Sequence, residues 1–300
     1  MGPLVSFVVP CCNNGRFLGH CLTSIFGQTL AIEFEVVVVD DASTDTTQEV
    51  IEKNADSRMH TFRHTQKQGY VRTTQEAITA AKGFFISKID PDDRYRPHFL
   101  AMTLQALRDN PECAIAYGDS SVIDDKGIVK EPRADNDHQG RDFKGNEFLQ
   151  LLQRNFFNVP IVIAKAEAWR KALATSGKSA LNDWNFLLQM SRGYDSCYLN
   201  QVLTDRRFPL MKESKNGSDE KSVFFLLDQI FQQTENNPLL EKKKRRARRK
   251  VYASQYLRFA QRYQRLGMRS EVKRCYRNLL RYSPIHLLDL SVLESLWSKS

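Results

Sequence analysis

The sequence predicts an α/β domain built on a mostly parallel sheet, followed by a smaller all-α region. Three observations carry this expectation. Short apolar, β-branched runs alternate with stretches of helical spacing from the start of the chain. Aspartates gather just past two of those runs. Beyond Asp219 the strand patterns cease and positive charge accumulates.

Leu4-Val5-Ser6-Phe7-Val8-Val9, closed by Pro10, reads as a buried strand. Asn13-Asn14-Gly15 is turn chemistry, after which Phe17, Leu18, Cys21, Leu22, Ile25 and Phe26 recur at helical spacing. Glu35 to Asp40 is a second strand, β-branched through Val36-Val37-Val38-Val39. Ser43-Thr44-Asp45 offers an N-cap to a helix running through Val50-Ile51. A strand at Met59 to Arg63, a helix from Val71 to Lys82 and a strand from Phe84 to Ile89 follow. Strands separated by helices over these distances imply right-handed crossovers and parallel pairing. After Pro97 come a helix to Arg108, a strand at Ala114 to Tyr117 and a hairpin signal at Asp124-Asp125-Lys126-Gly127. The polar stretch 131–141 reads as a mobile loop.

Charge divides the chain. Net charge is +9 overall, yet residues 219–300 hold 18 Lys/Arg against 8 Asp/Glu, while residues 1–218 hold 26 against 27. Two regions with different jobs are expected, 1–218 and 219–300. In the second, a helix around Tyr252 to Ala260, the turn Leu266-Gly267-Met268 and a helix from Ser270 to Tyr282, ended by Pro284, resemble one tetratricopeptide-like hairpin. Residues 241–250 carry eight positive charges and one negative. Such a run is usually a solvated helix face. The sharper expectation is contact with an anionic membrane surface, where each basic residue adds ~1 kcal/mol. Nucleic acid ranks lower as a partner, since no readout module or stacking aromatics accompany the run.

No apolar run reaches the ~18 residues that span a bilayer, and Met1-Gly2-Pro3 leads into a strand pattern without a signal-peptide n-region. Cysteines 11, 12, 21, 113, 197 and 275 form no Cys-x-x-Cys pair and no cluster with histidine, which speaks for a reduced, cytoplasmic chain and against structural zinc. The expected location is therefore cytoplasmic, with peripheral attachment to the inner membrane face.

The aspartates carry the chemistry. Ligands of open α/β sheets bind at the carboxyl ends of strands, where Asp40, Asp41, Asp90, Asp92 and Asp93 fall. Clustered carboxylates repel one another, and a hard Mn²⁺ or Mg²⁺ ion between them relieves that repulsion. Taken singly, each Asp is better explained as a cap or an Asx-turn. Together, at two neighbouring strand ends, they favour a site.

These motifs resemble the inverting family-2 glycosyltransferases of the GT-A fold, a Rossmann-like α/β architecture, over residues 4 to 218. The resemblance rests on Val8-Val9-Pro10 with Asn13-Asn14 and Gln28-Thr29, and on Val38-Val39-Asp40-Asp41-Ala42-Ser43-Thr44-Asp45. It continues through Ala81-Lys82-Gly83, Asp90-Pro91-Asp92-Asp93 with Pro97, and Asn182-Asp183-Trp184. It implies transfer of a sugar from a nucleotide-diphosphate sugar, UDP favoured, to an acceptor hydroxyl of a glycan or lipid-linked substrate. By the same resemblance Pro10, Asn13, Asp41 and Asp40 line the nucleobase pocket. Asp92 and Asp93 hold Mn²⁺ or Mg²⁺ at the diphosphate, Asp90 lies at the ribose or the metal, and Asp183 is the catalytic base. The bland alternative for Asp183 is N-cap duty with Asn182, and both roles can coexist.

Three departures stand out. Thr73, Thr74 and Gln75 replace the family's Ala-Arg-Asn, leaving Arg72 or Lys67 to face the diphosphate. Asn182 replaces a glutamate beside the base. Arg206-Arg207-Phe208-Pro209 replaces an Arg-x-His. Two other function classes stay open on the residues alone: a nucleotidyltransferase, which would begin with a Gly-rich phosphate loop unlike Cys11 to Arg16, and a non-catalytic relative acting through its helical tail.

Overall fold

The structure, a computed structural model, describes residues 2–134, 138–154, 162–175, 183–207 and 220–285. The chain divides into two compact units, Met1–Glu147 with Phe156–Glu213 and Phe148–Asn155 with Ser214–Ser300. Asn182, Phe208 and Pro209 lie outside the described residues.

The first unit opens with β1 (Val5–Cys11), α1 (Gly15–Phe26), β2 (Phe34–Asp40), α2 (Thr47–Lys53), β3 (Met59–Arg63), α3 (Tyr70–Ala80) and β4 (Phe85–Lys88). It continues with β5 (Arg94–Tyr95), α4 (Phe99–Asp109), β6 (Cys113–Ile123), β7 (Val129–Glu131) and β8 (Phe143–Gly145). Helix α5 (Phe148–Gln153) belongs to the second unit, and the chain then returns through β9 (Val162–Lys165), α6 (Ala166–Thr175), α7 (Asp183–Ser191) and β10 (Asp195–Arg207).

The sheet order is β3-β2-β1-β4-β9-β6-β10-β5, with β7 on β6 and β8 on β10. Strands β3, β2, β1 and β4 pair in parallel, as the crossovers require. Every residue of β1, β2 and β6 is buried, which is why β1 and β2 read as largely apolar runs rather than alternating ones, whereas β6 also buries the polar Asp119-Ser120-Ser121. The hairpin at Asp124 to Gly127 joins β6 to β7, with Gly127 at φ 80°.

Strand β9 runs antiparallel to both β4 and β6. This reversal matters for the site. The Ala166 N–H donates to the Phe84 carbonyl at 2.8 Å, so α6 starts at the amino end of β4. Its ten residues, about 15 Å of helix, climb back along the sheet, and α7 begins beside the carboxyl end of β4.

The amino ends of the strands are tied separately. Glu35, buried, accepts from Ser6 Oγ and from the Lys82 N–H at 2.6 Å, and Gly83 N–H donates to Ser6 Oγ at 2.7 Å. A Cβ on Gly83 would lie 2.5 Å from the Ser6 nitrogen, so glycine in Ala81-Lys82-Gly83 is a matter of space.

In the second unit, α5 joins α8 (Glu220–Gln232), α9 (Pro238–Arg265) and α10 (Arg269–Tyr282). Helix α9 starts at Pro238, capped by the Asn237 side chain, so the charge run 241–250 is helical. Gly267 at φ 70° turns α9 into α10, the turn the sequence predicts. The unit has more than a hairpin. Phe224 of α8 stacks on Tyr256 at 4.3 Å, and the Gln153 carbonyl accepts from Ser254 Oγ and Gln255 Nε2 at 3.1 and 2.8 Å.

Candidate active site

The carboxyl ends of β1, β2 and β4 open into a cavity of about 370 Å³. Pro10, Cys11, Cys12 and Asn14 line it from the end of β1, and Asp41 from the end of β2. Lys67, Tyr70 and Thr73 contribute from the entry to α3. Asp90, Pro91 and Asp92 follow β4, and Asp183 is the first residue of α7. Of the sequence-predicted residues, Pro10, Asp41, Asp90, Asp92 and Asp183 thus share one cavity.

The others stand back from it. Asn13 takes a left-handed conformation, φ 56°, and its Oδ1 accepts from the Thr44 N–H at 2.8 Å. Its neighbour Asn14 reaches the cavity instead. Asp40 accepts from the Ser43 N–H and hydroxyl, with Arg63 Nε at 3.4 Å, and holds the turn after β2. Arg72 is exposed and outside the lining, and Lys67 is the cation that lines it. Asp93 is buried and turned toward β10, where its Oδ1 accepts from the Arg207 N–H at 2.7 Å.

Asp41 is held by donors. Its Oδ1 accepts from His64 Nδ1 at 2.7 Å and the Gln68 N–H at 2.6 Å, and its Oδ2 from the Gly69 N–H at 2.8 Å. Burial alone would raise its pKa, but these hydrogen bonds outweigh it and hold the carboxyl below its ordinary value. His64 is raised, first by its bond to Asp41, and its Nε2 faces Glu76 at 3.0 Å. Both ring nitrogens therefore meet carboxylates, which favours the imidazolium.

The second cluster is crowded instead. Asp92 is raised by burial and then by Asp90; Asp93 is raised by burial and by both neighbours. Arg207 braces the turn, its Nε donating to the Asp92 carbonyl at 3.1 Å and its guanidinium lying 4.2 Å from the Phe17 ring centre. Arg207, one of the two arginines in the stretch that replaces the Arg-x-His, is thus engaged with backbone and ring. Among the described residues no three His, Cys, Asp or Glu side chains converge as a metal cage. These hard oxygens suit a cation that takes one or two carboxylates and completes its shell with substrate phosphates and water.

Sequence reasoning missed Lys88 and Tyr70. Lys88 is fully buried at the end of β4, with its Nζ 2.6 Å from Asp90 Oδ1 and 3.3 Å from Asp183 Oδ1. Burial would lower its pKa, but Asp183 and Asp90 more than offset this and keep it an ammonium. The Tyr70 hydroxyl donates to Asp183 Oδ1 at 2.7 Å. Asp183 is raised, by burial and against the pull of Lys88, which makes the carboxylate a stronger base. A lysine within the strand run Phe84 to Ile89, two residues before Asp90, was the available signal.

The model of the family described as "Glycosyl transferase family 2" matches residues 6–172, more than half of the chain. Chondroitin synthase of Escherichia coli is 29% identical over 126 residues, 42% of this chain and 18% of that protein. Glycosyltransferase GlyG of Streptococcus pneumoniae is 31% identical over 111 residues, 36% of each. The matching stretch thus spans well under half the length of these relatives. Among solved structures, Staphylococcus aureus TarS 1–349 superposes with a TM-score of 0.71 at 15% identity, over 98% of this chain and 87% of that one. TarS with UDP-GlcNAc gives 0.69 at 16%, over the same shares. The Pyrobaculum calidifontis mannosyltransferase with GDP-Man and Mn²⁺ gives 0.62 at 16%, over 100% and 89%. At such identities the likeness is one of fold, and that fold is GT-A.

Proposed function

This chain belongs to glycosyl transferase family 2, and on that premise we propose that it moves a sugar with inversion from a UDP-sugar to an acceptor hydroxyl in glycan or cell-surface polysaccharide synthesis. One observation carries the reading: Asp41, Asp92, Lys67 and Asp183, from four separate segments, line a single cavity. Asp41 and the end of β1 offer a nucleoside pocket, Lys67 a cation for the diphosphate, and Asp183 a base. A sugar hydroxyl is a poor nucleophile, so Asp183 takes its proton as the acceptor oxygen bonds the anomeric carbon and the diphosphate leaves with the bonding electrons. One displacement with one base inverts the centre. A Mn²⁺ or Mg²⁺ ion held by Asp92, with Asp93 behind it, would supply charge stabilisation for the departing diphosphate. UDP is favoured because TarS binds UDP-GlcNAc, and Mn²⁺ because the mannosyltransferase binds it with GDP-Man.

A nucleotide scan read by thermal stabilisation, with and without Mn²⁺, tests donor binding. UDP with Mn²⁺ is expected to raise Tm, and no response to any nucleoside diphosphate would overturn the reading. Asp183→Asn is expected to keep that response and lose transfer. Normal transfer by Asp183→Asn would remove the assigned mechanism.

The helical unit extends the proposal to a partner. The basic helix α9 exposes Lys242, Lys243, Arg246, Arg249 and Lys250, whereas Lys244 is buried among Glu235, Glu241 and carbonyl groups. Arg246, Arg249 and Lys250 border an open cleft of about 780 Å³ that also takes in Leu257, Pro284 and the 72% exposed Ile285. No described helix is long and apolar enough to cross a membrane. Cations beside an apolar edge favour peripheral contact with an anionic membrane, at the cytoplasmic face, near a lipid-linked acceptor. Flotation with phosphatidylserine vesicles, absent with phosphatidylcholine vesicles and absent for Arg246→Glu/Arg249→Glu, is the expected result; equal flotation with both lipids would overturn it.

A further inference from the structure

Two lysines among the described residues are completely buried, and they contrast. Lys244 is a plug, its ammonium taken up by Glu235, Glu241 and the carbonyls of Ile230 and Gln233. Lys88 has Asp90 at 2.6 Å, Asp183 at 3.3 Å and the Tyr70 ring centre at 5.0 Å, and all three of these line the catalytic cavity. Lys88 itself does not line the cavity. It lies beneath the floor and reaches substrate only through its partners.

We infer that Lys88 and Tyr70 are positioning residues that decide which oxygen of Asp183 meets the acceptor hydroxyl; this rests on the transfer reaction proposed above. The Tyr70 hydroxyl occupies Oδ1 at 2.7 Å, and the Lys88 ammonium straddles the carboxylate at 3.3 Å from Oδ1 and 3.4 Å from Oδ2. Oδ1 is therefore gripped, and Oδ2, with only the longer contact among the described residues, keeps lone pairs for the acceptor. The acceptor O–H proton passes to Oδ2, the oxygen bonds the anomeric carbon, and the C–O bond to the diphosphate breaks with its electrons on the leaving group. Asp183 is then neutral, and Lys88 retains its short pair with Asp90, so the buried cation is never stranded. That is a reason for two carboxylates to share one ammonium. Without Lys88, Asp90 and Asp183 would face each other as like charges, and Asp183 would turn away.

The test uses the full chain, with UDP and Mn²⁺ as the binding probe and UDP release from UDP-GlcNAc, or from whichever nucleotide sugar the scan identifies, as the turnover readout. Lys88→Met is expected to lower kcat about 100-fold, within the range of a displaced general base, and to leave the UDP Kd and donor KM within about threefold. Tyr70→Phe keeps the ring and is expected to lower kcat about tenfold. Lys88→Arg should recover part of the lost turnover. Lys88→Met/Asp183→Asn should be no slower than Asp183→Asn alone, because the lysine acts only through that carboxylate. Wild-type kcat in Lys88→Met, or a further full loss in the double variant, would overturn the inference. Should Lys88→Met fail to fold, wild-type kcat in Tyr70→Phe would overturn it alone. Wild-type turnover by Asp183→Asn would instead bring down the transfer reading and this inference with it.

Discussion

Two clusters of aspartate sit at neighbouring strand ends, and they are built in opposite ways. After β2, Asp41 is surrounded by donors: two backbone N–H groups and an imidazolium fix both of its oxygens, and its pKa falls. After β4, Asp90, Asp92 and Asp93 crowd one another, and Asp92 and Asp93 rise. The first cluster has its donors within the chain itself. In the second, Lys88 beside Asp90 and Arg207 beside Asp92 and Asp93 do not offset burial and like-charge repulsion. The difference shows that identical side chains at equivalent places in a fold are sorted by their donors, not by their position.

The contrast can be broken at its crowded end first. Asp92→Asn is expected to reduce turnover on the order of 10³-fold and to remove the Mn²⁺ dependence of UDP binding, since metal stabilisation of a leaving group is worth several kcal/mol. Asp93→Asn keeps an acceptor for the Arg207 N–H and should cost far less turnover. Steady-state kinetics over a Mn²⁺ titration separates the two, and equal losses would erase the distinction between them.

At the satisfied end the effect falls on stability. Asp41→Ala strands two N–H groups and leaves His64 with Glu76 as its one carboxylate, so urea unfolding should show a loss of about 3 kcal/mol. A loss below about 0.5 kcal/mol, the level of an ordinary surface change, would mean that Asp41 is not a structural tie.

The smallest effect depends on pH. The folded pKa of His64 is raised, so its contribution is fully present below the ordinary histidine value of 6.5 and is lost as pH rises through the folded value. The depressed Asp41 works at the other side, its contribution present above 3.8 and lost as pH falls through its folded value. His64→Gln should therefore cost on the order of 1 kcal/mol near pH 6, and the cost should shrink toward pH 9. A cost that grows with pH would reverse the assignment.

The sequence made the parallel half of the sheet legible because β1 and β2 are buried on both faces, and such strands must be continuously apolar. It also made Asp41, Asp90 and Asp92 legible through their places at strand ends, and Asp183 through the resemblance carried by Asn182-Asp183-Trp184. Asn13 and Asp40 stand back from the cavity, and motif adjacency cannot say which of two neighbours faces it. In each pair one residue holds the turn and the other is presented, and the φ of 56° at Asn13 and the Ser43 contacts at Asp40 decide which. Lys88 was passed over because strand reading treats a single lysine in an apolar run as noise, although a buried ammonium needs a counter-charge and so points at a carboxylate.

Helix α5 has a consequence for how the chain is made. Its buried Phe148, Leu151 and Leu152 belong with a body whose other helices begin at Glu220, and the Gln153 carbonyl finds its partners in Ser254 and Gln255, about a hundred residues later. As the chain leaves the ribosome, this greasy turn must wait several seconds for α9 at ordinary elongation rates of ~5–20 residues per second. A polypeptide cut at 218 would never end that wait, and it should be sticky for that reason alone.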